Sequence, residues 1–374
     1  MPFTFTVPKR KVLFAINRFD IGGAEIMVAE QIEALDKSRF EPHLLTIYKN
    51  PEQNCLSRID LSTTVYHPLI FSGIFDVVSW FRLFRLLRKE KFDAVITNLF
   101  DTNLIVRTVA VLCRVPVILS YEHNIYAEKK WWQIMADRLL AKGTTKILVG
   151  SNQVKEFTSK QENISPDKFV VNFNSAKLIF GETRNKRDQV LKEYGFDTAK
   201  VYVTTAGRLI KQKGHAYLIE AAAKIVKKHP EAMFLIFGEG ELKGELEKKI
   251  SDLDITNNIR LMGIATMEKI IALTDIFAFP SLWEGLSIAL VNMMNAGCPI
   301  VATKVSGTEE ALVGGESGIL VKSADADRLA EALLLLIENP KEGERLGQGA
   351  KARSELFSIQ KNISTIQELI IHGQ

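Results

Sequence analysis

Cysteine is scarce: Cys55, Cys113 and Cys298 are the three in 374 residues. Three scattered thiols build neither a disulfide framework nor a zinc site, and they suit a reducing cytoplasm. Glycine and proline are modest, at 23 and 11, which excludes a collagen-like or low-complexity chain. No uninterrupted apolar run nears the ~20 residues of a spanning helix, so an integral membrane protein is not expected. The opening MPFTFTVPKRKVLFAINRF lacks a secretory-signal pattern. A large excess of one charge is missing too, since 48 Lys and Arg against 44 Asp and Glu leave +4. The balance is uneven along the chain: residues 1–178 hold 24 basic and 18 acidic side chains, and residues 179–374 hold 24 and 26. A mildly basic first part is compatible with an anionic surface or acceptor and carries no nucleic-acid signature.

What is present is a sizeable apolar content, 47% of residues, in a length that suggests two or three domains. Short apolar runs alternate with amphipathic stretches. KVLFAI (11–16), HLLTIY (43–48), DAVITN (93–98), PVILSYEH (116–123) and KILVGS (146–151) read as buried parallel strands. Helical patterns separate them. The rhythm falters between about 174 and 200, where polar residues dominate, then restarts with KVYVTTAGR (200–208), MFLIFGEG (233–240), IRLMG (259–263), DIFAFPS (275–281) and PIVATK (299–304). Two doubly wound parallel-sheet α/β domains follow. The expected boundaries are 1–178 and 179–355, with 356–374 a terminal helix packing back on the first domain. Ligands of such sheets bind outside the carboxyl ends of the strands, here in a cleft that the two domains face.

Three segments at strand ends could carry chemistry. Gly22-Gly23-Ala24-Glu25 opens a helix after the first strand; glycines admit a ligand to the backbone, and a helix start favours anions. It is equally a plain strand-to-helix turn. GRLIKQKGH (207–215) holds Arg208 and Lys213 between glycines, two cations able to reach one diphosphate, or two solvated loop charges. PSLWEGLSIALVNMMNAGCPIVAT (280–303) is the densest. It places Glu284 and Gly285 where a helix is expected to open at about Gly285. The amides of Gly285, Leu286 and Ser287 would then be unpaired helix-start donors suited to phosphate. A carboxylate beside phosphate repels it unless it serves another group, such as a sugar hydroxyl.

In this combination the chain resembles glycosyltransferase family 4, whose members have two Rossmann-like domains in the GT-B arrangement and retain anomeric configuration. The resemblance spans nearly the whole chain and is strongest from Thr205 to Val321. It implies that Gly22 and Gly23 lie near donor phosphate and acceptor, and that His123 in SYEHN lies near the donor sugar. It further implies that Arg208 and Lys213 neutralise the leaving diphosphate, that Gly238 and Gly240 form a second glycine turn, and that Gly263 and Ile264 meet the nucleobase. Glu284 matches the first Glu of an E-x7-E motif and faces sugar hydroxyls, with Gly285, Leu286 and Ser287 around the phosphates. The second Glu is replaced by Asn292, which has one carbonyl acceptor, an NH2 donor and no charge. Asn174-Ser175-Ala176-Lys177 stands where the family has Asn-Gly-Val-Asp.

The implied activity is a retaining, metal-independent hexosyl transfer from a UDP- or GDP-linked sugar to a glycan or lipid-linked acceptor, in cell-surface polysaccharide or oligosaccharide assembly, without a cofactor. The alternative is a catalytically weak paralogue that binds a sugar nucleotide and serves a partner; a 2-epimerase fits less well. The pairs Asp252/Asp254 and Asp325/Asp327 read as turns or caps rather than metal ligands. His123 taken alone is also compatible with a structural role, and histidines 43, 67, 215, 229 and 372 show no metal spacing. In residues 76–91, Val77, Trp80, Phe81, Phe84 and Leu87 share one stripe and Arg82, Arg85 and Lys89 another. That is an ordinary sheet-packing helix, or one that lies on an anionic membrane. Lys129-Lys130 before Trp131-Trp132 is a second such feature. The expected location is the cytoplasm, with peripheral contact at the inner face of the membrane as the further reading.

Overall fold

The computed structural model describes residues 8–20, 22–52, 54–123, 125–176 and 186–373. They form two compact units, one of residues 1–175 with 359–374, the other of residues 176–358. The first holds seven parallel strands: β1 (Arg10–Ile16), β2 (Phe40–Thr46), β3 (Val65–Pro68), β4 (Ala94–Asn98), β5 (Val117–Glu122), β6 (Lys146–Val149) and β7 (Phe169–Val171), in the order β3-β2-β1-β4-β5-β6-β7. From Val12 to Ile16 every residue is buried, because helices cover both faces of a parallel sheet and water touches neither. The helices are α1 (Gly23–Ala34), α2 (Val77–Glu90), α3 (Phe100–Leu112), α4 (Trp131–Leu140) and α5 (Asn152–Glu162). Helices α2 to α5 pack side by side in that order.

The second unit holds β8 (Val201–Ala206), β9 (Ala232–Phe237), β10 (Ile259–Gly263), β11 (Ile276–Phe279), β12 (Ile300–Thr303) and β13 (Ile319–Val321), all parallel, in the order β10-β9-β8-β11-β12-β13. Its helices are α6 (Arg187–Tyr194), α7 (His215–Ile225), α8 (Lys243–Asp252), α9 (Met267–Leu273), α10 (Ile288–Asn295), α11 (Ser306–Ala311), α12 (Ala326–Glu338) and α13 (Pro340–Ser354). The last helix, α14 (Ile359–His372), belongs to the first unit and packs on α1. Gln31 Nε2 donates to Asn362 Oδ1 at 2.8 Å, and Asn362 Nδ2 donates to Tyr121 Oη at 3.1 Å.

In both sheets the strand order reverses direction once, between β1 and β4 and between β8 and β11. Loops leaving such a pair diverge and open a crevice at the carboxyl ends. The strands β3, β7 and β13 have only four, three and three residues. All three lie at sheet edges and are only partly buried, so they lack the continuous apolar run that marks a strand covered on both faces.

Two surface features read from the sequence take a definite form. The Lys129 side chain is 5% exposed and turned inward. Its Nζ lies 3.0 Å from Asp137, 2.6 Å from Glu162 and 3.7 Å from Glu122, and Arg107 pairs with Asp137. Burial pushes the Glu162 carboxyl up to about 7. Helix α2 packs through Leu83 and Leu87. Of the stripe named above, Val77, Phe81 and Phe84 point outward, joined by Val78 and by Phe75 just before the helix.

Candidate nucleotide-sugar site

Two loops at the β8/β11 reversal interlock. After β8 the chain turns at Gly207, whose N–H donates to Phe237 O at 2.9 Å. It runs through Arg208 and a short 3₁₀ turn, Lys211–Lys213, to Gly214 at φ 64°. A Cβ at Gly214 would overlap the carbonyl oxygen of Pro280, so the backbones meet here and only glycine fits. The loop after β11 answers with Leu282 N–H to Gln212 O at 2.7 Å, and Gln212 Nε2 donates to Trp283 O at 3.0 Å. This contact brings Lys213 and Glu284 together as an ion pair, their side chains 13% and 11% exposed. Lys213 Nζ also lies 5.5 Å from the centre of the Phe279 ring, a cation over a π face. Arg208 is exposed and makes no ion pair among the described residues.

The neighbouring strand ends add backbone. Gly238 follows β9 at φ 138°, where a Cβ would overlap Gly207 O, and its N–H reaches Gly263 O at 2.8 Å. Gly240 sits against Leu209, and Ile264 after β10 is 66% exposed. The sheet order β10-β9-β8-β11 therefore gathers Ile264, Gly263, Gly238, Gly240, Arg208, Lys213 and Glu284 along one edge.

The Glu284 loop corrects one expectation. Helix α10 begins at Ile288 with Ser287 as its N-cap, and the first intrahelical bond is Val291 N–H to Ser287 O at 3.1 Å. Gly285 and Leu286 lie in the loop before it, both buried. The helix-start donors are thus the amides of Ile288, Ala289 and Leu290, three positions later than expected. The loop is shaped by a distant partner: Glu284 O accepts from Ser306 Oγ at 2.6 Å and from Gly307 N–H at 3.1 Å. Ser306, Gly307 and Phe279 carry no motif of their own; their position at strand carboxyl ends is the available signal. Asn292 lies in the second turn of α10 and is 8% exposed.

Gly22, Gly23 and His123 belong to the other unit. Gly22 is the N-cap of α1, and a Cβ there would overlap the Glu25 carboxylate. A carboxylate therefore already lies at this helix start. His123 is 9% exposed and stacks on Tyr121 with ring centres 4.3 Å apart. Its Nε2 lies 3.0 Å from Asn98 Oδ1 and its Nδ1 3.3 Å from Asn174 Oδ1. Burial outweighs the Asn174 contact and pulls the ring down to about 4, so it is neutral at pH 7. Asn174 thus holds His123, while Lys177 lies outside the described residues. Between Asn98 and α3, Leu99 takes φ 70° and ψ 160°, a conformation that costs a non-glycine residue about 1–3 kcal/mol. Asp325 caps α12 by accepting from Arg328 N–H at 3.0 Å.

Residues 21–178 match Glycosyltransferase Family 4, and residues 186–353 match Glycosyl transferases group 1. The chain is 28% identical over 373 residues, 94% of each sequence, to the UDP-Gal:alpha-D-GlcNAc-diphosphoundecaprenol alpha-1,3-galactosyltransferase of Escherichia coli. It is 27% identical to the N-acetylgalactosamine-N,N'-diacetylbacillosaminyl-diphospho-undecaprenol 4-alpha-N-acetylgalactosaminyltransferase of Campylobacter jejuni, covering 90% of this chain and 92% of that one. Among solved structures, Anabaena HepE in complex with UDP and glucose superposes with a TM-score of 0.84 at 17% identity, over 97% of this chain and 99% of that one.

Proposed function

Because the chain belongs to glycosyltransferase family 4, we propose that its second unit binds a UDP- or GDP-linked sugar and that its first unit serves the acceptor, a glycan or a lipid-linked oligosaccharide. The observation that carries this reading is the β8/β11 edge. An exposed guanidinium, a lysine and a carboxylate converge there on glycine-built backbone. Arg208 forks onto phosphate oxygens and Lys213 adds a point charge, so the departing diphosphate is stabilised as negative charge develops. Glu284 accepts donor-sugar hydroxyls, and Asn292 accepts from the ribose more weakly than a carboxylate would. Ile264 and Gly263 border the nucleobase, with Gly285, Leu286 and Ser287 beside the phosphates. Gly22 and Gly23 serve the acceptor and the donor phosphate, and His123 serves the donor sugar. No covalent nucleophile stands out among these groups, which favours same-face attack by the acceptor hydroxyl with retention. Two cations at the diphosphate support a metal-independent reaction.

The names of the E. coli and C. jejuni relatives both specify diphosphoundecaprenol acceptors, which supports a lipid-linked acceptor here. Peripheral attachment through α2 fits with that. Val77 and Phe81 are 76% and 65% exposed, and Arg82, Arg85 and Lys89 are exposed beside them. No helix among the described residues is long and apolar enough to cross a membrane.

The test is transfer from UDP- and GDP-sugars to a diphosphoundecaprenol-linked acceptor. Arg208→Ala should retain the fold and lower transfer about 10²–10³-fold, the usual scale for one lost electrostatic contact. Activity in excess EDTA should equal that without it. An unchanged rate in Arg208→Ala would remove the diphosphate assignment.

A further inference from the structure

Arg208 and Lys213 differ in one respect. Arg208 is open, whereas Lys213 is engaged by Glu284, with its other side over Phe279, itself 1% exposed. Both backbones are pinned. Lys213 N–H donates to Ile210 O at 3.1 Å, and Glu284 O holds the Ser306 hydroxyl and the Gly307 amide. Any rearrangement is therefore confined to the two side chains. Neither can leave alone without stranding a charge that is nearly nine-tenths buried, which is costly.

We infer that the Lys213–Glu284 pair is an exchange element that discriminates the intact donor from the spent nucleotide. This rests on the nucleotide-sugar reading of the same edge. An incoming diphosphate carries more negative charge than one carboxylate and draws Lys213 away from Glu284. With an intact donor, the sugar hydroxyls take over at Glu284, so both charges stay satisfied. With a nucleoside diphosphate alone, nothing replaces the ammonium at Glu284. The carboxylate then competes with the phosphates for Lys213, and this competition weakens the hold on the nucleotide. Glu284 therefore works against product binding while it supports donor binding, and Phe279 keeps the ammonium within reach of both partners.

The experiment is calorimetric titration of the full chain with UDP and with GDP, in the native protein and in Glu284→Gln, Glu284→Ala, Lys213→Met and the Lys213→Met/Glu284→Gln double variant. Thermal unfolding confirms that each is folded. Removing the carboxylate's charge should tighten the nucleoside diphosphate about tenfold, the scale of one charge-assisted contact. Both Glu284 variants should move in that direction. The gain should vanish when Lys213 is already Met, because the two residues act on the ligand as a pair. If UDP or GDP binds and the Glu284 variants bind it equally or more weakly, the exchange is overturned and the donor site stands. If neither nucleotide binds the native protein or any variant, the donor reading falls with it.

Discussion

In the proposed reading Asn292, itself 8% exposed, takes the place of a second carboxylate that would accept from the ribose. A carboxylate acceptor makes hydrogen bonds worth about 1.5–3 kcal/mol, against roughly 0.5–1.5 for a neutral one. Restoring it should strengthen ribose binding by on the order of 1–2 kcal/mol, or about tenfold. Asn292→Glu is therefore expected to lower the donor KM about tenfold with little change in kcat, read from steady-state transfer assays. The burial sharpens the test, because a new carboxylate is tolerated there only if ribose hydroxyls meet it. A collapse of donor binding would show that the pocket is shaped around the amide. Tighter nucleotide binding with no transfer would favour the partner-subunit reading.

Helix α2 has two apolar faces. Leu83 and Leu87 face the core, and Val77, Val78 and Phe81 face out, with basic residues between them. An apolar face rimmed by cations suits an anionic lipid surface, where each basic residue adds about 1 kcal/mol of attraction. Replacing Arg82, Arg85 and Lys89 by Glu should abolish sedimentation with liposomes containing phosphatidylglycerol while leaving the thermal midpoint near that of the native protein. Undiminished sedimentation would reduce α2 to a packing element. Helix α4 begins just beyond a buried anchor: Lys129 is held by three carboxylates, and the next exposed side chain but one, Trp131, is 78% exposed. The anchor fixes where that indole emerges.

At the scale of the whole molecule, each unit buries a histidine at its strand-end edge. His215 accompanies His123 in being pulled down to about 4 by burial, and its Nε2 faces Arg208 O at 3.3 Å. Unfolding exposes both rings, which then take up protons near pH 6.5. Their contribution to stability is complete above pH 6.5 and is lost as pH falls to about 4, roughly 3 kcal/mol for each ring. Glu162 opposes this, because its raised value makes the folded state bind a proton first, adding stability as pH falls from about 7 to 4.5. Burial lowers His43 and His67 in the same way and raises Glu122 like Glu162; four rings stand against two carboxyls, so the thermal midpoint should drop between pH 6.5 and 4, and His215→Gln should show a shallower drop. A drop of equal depth in that variant would mean that His215 contributes nothing to the acid sensitivity.

The alternation of strands and helices was legible because a strand covered on both faces must be apolar throughout, as in Val12–Ile16 and Phe234–Phe237. A helix covered on one face must be striped, as in α2. Strand ends then marked where Arg208, Lys213, Glu284 and His123 would lie. What the sequence left open depends on contacts between distant segments. Lys213 and Glu284 are 71 residues apart, and only the close approach of Gly214 to Pro280 makes them partners. The start of α10 at Ile288 follows from the hold that Ser306 and Gly307 exert on Glu284 O. The burial of Lys129 has no local signal, because Glu122, Asp137 and Glu162 come to it from three separate elements. Periodicity records how each segment meets water and core, so one chain suffices to read it. Which charged side chains neutralise one another is decided by the tertiary fold, because pairing depends on distances of a few ångströms between loops that the sequence keeps apart.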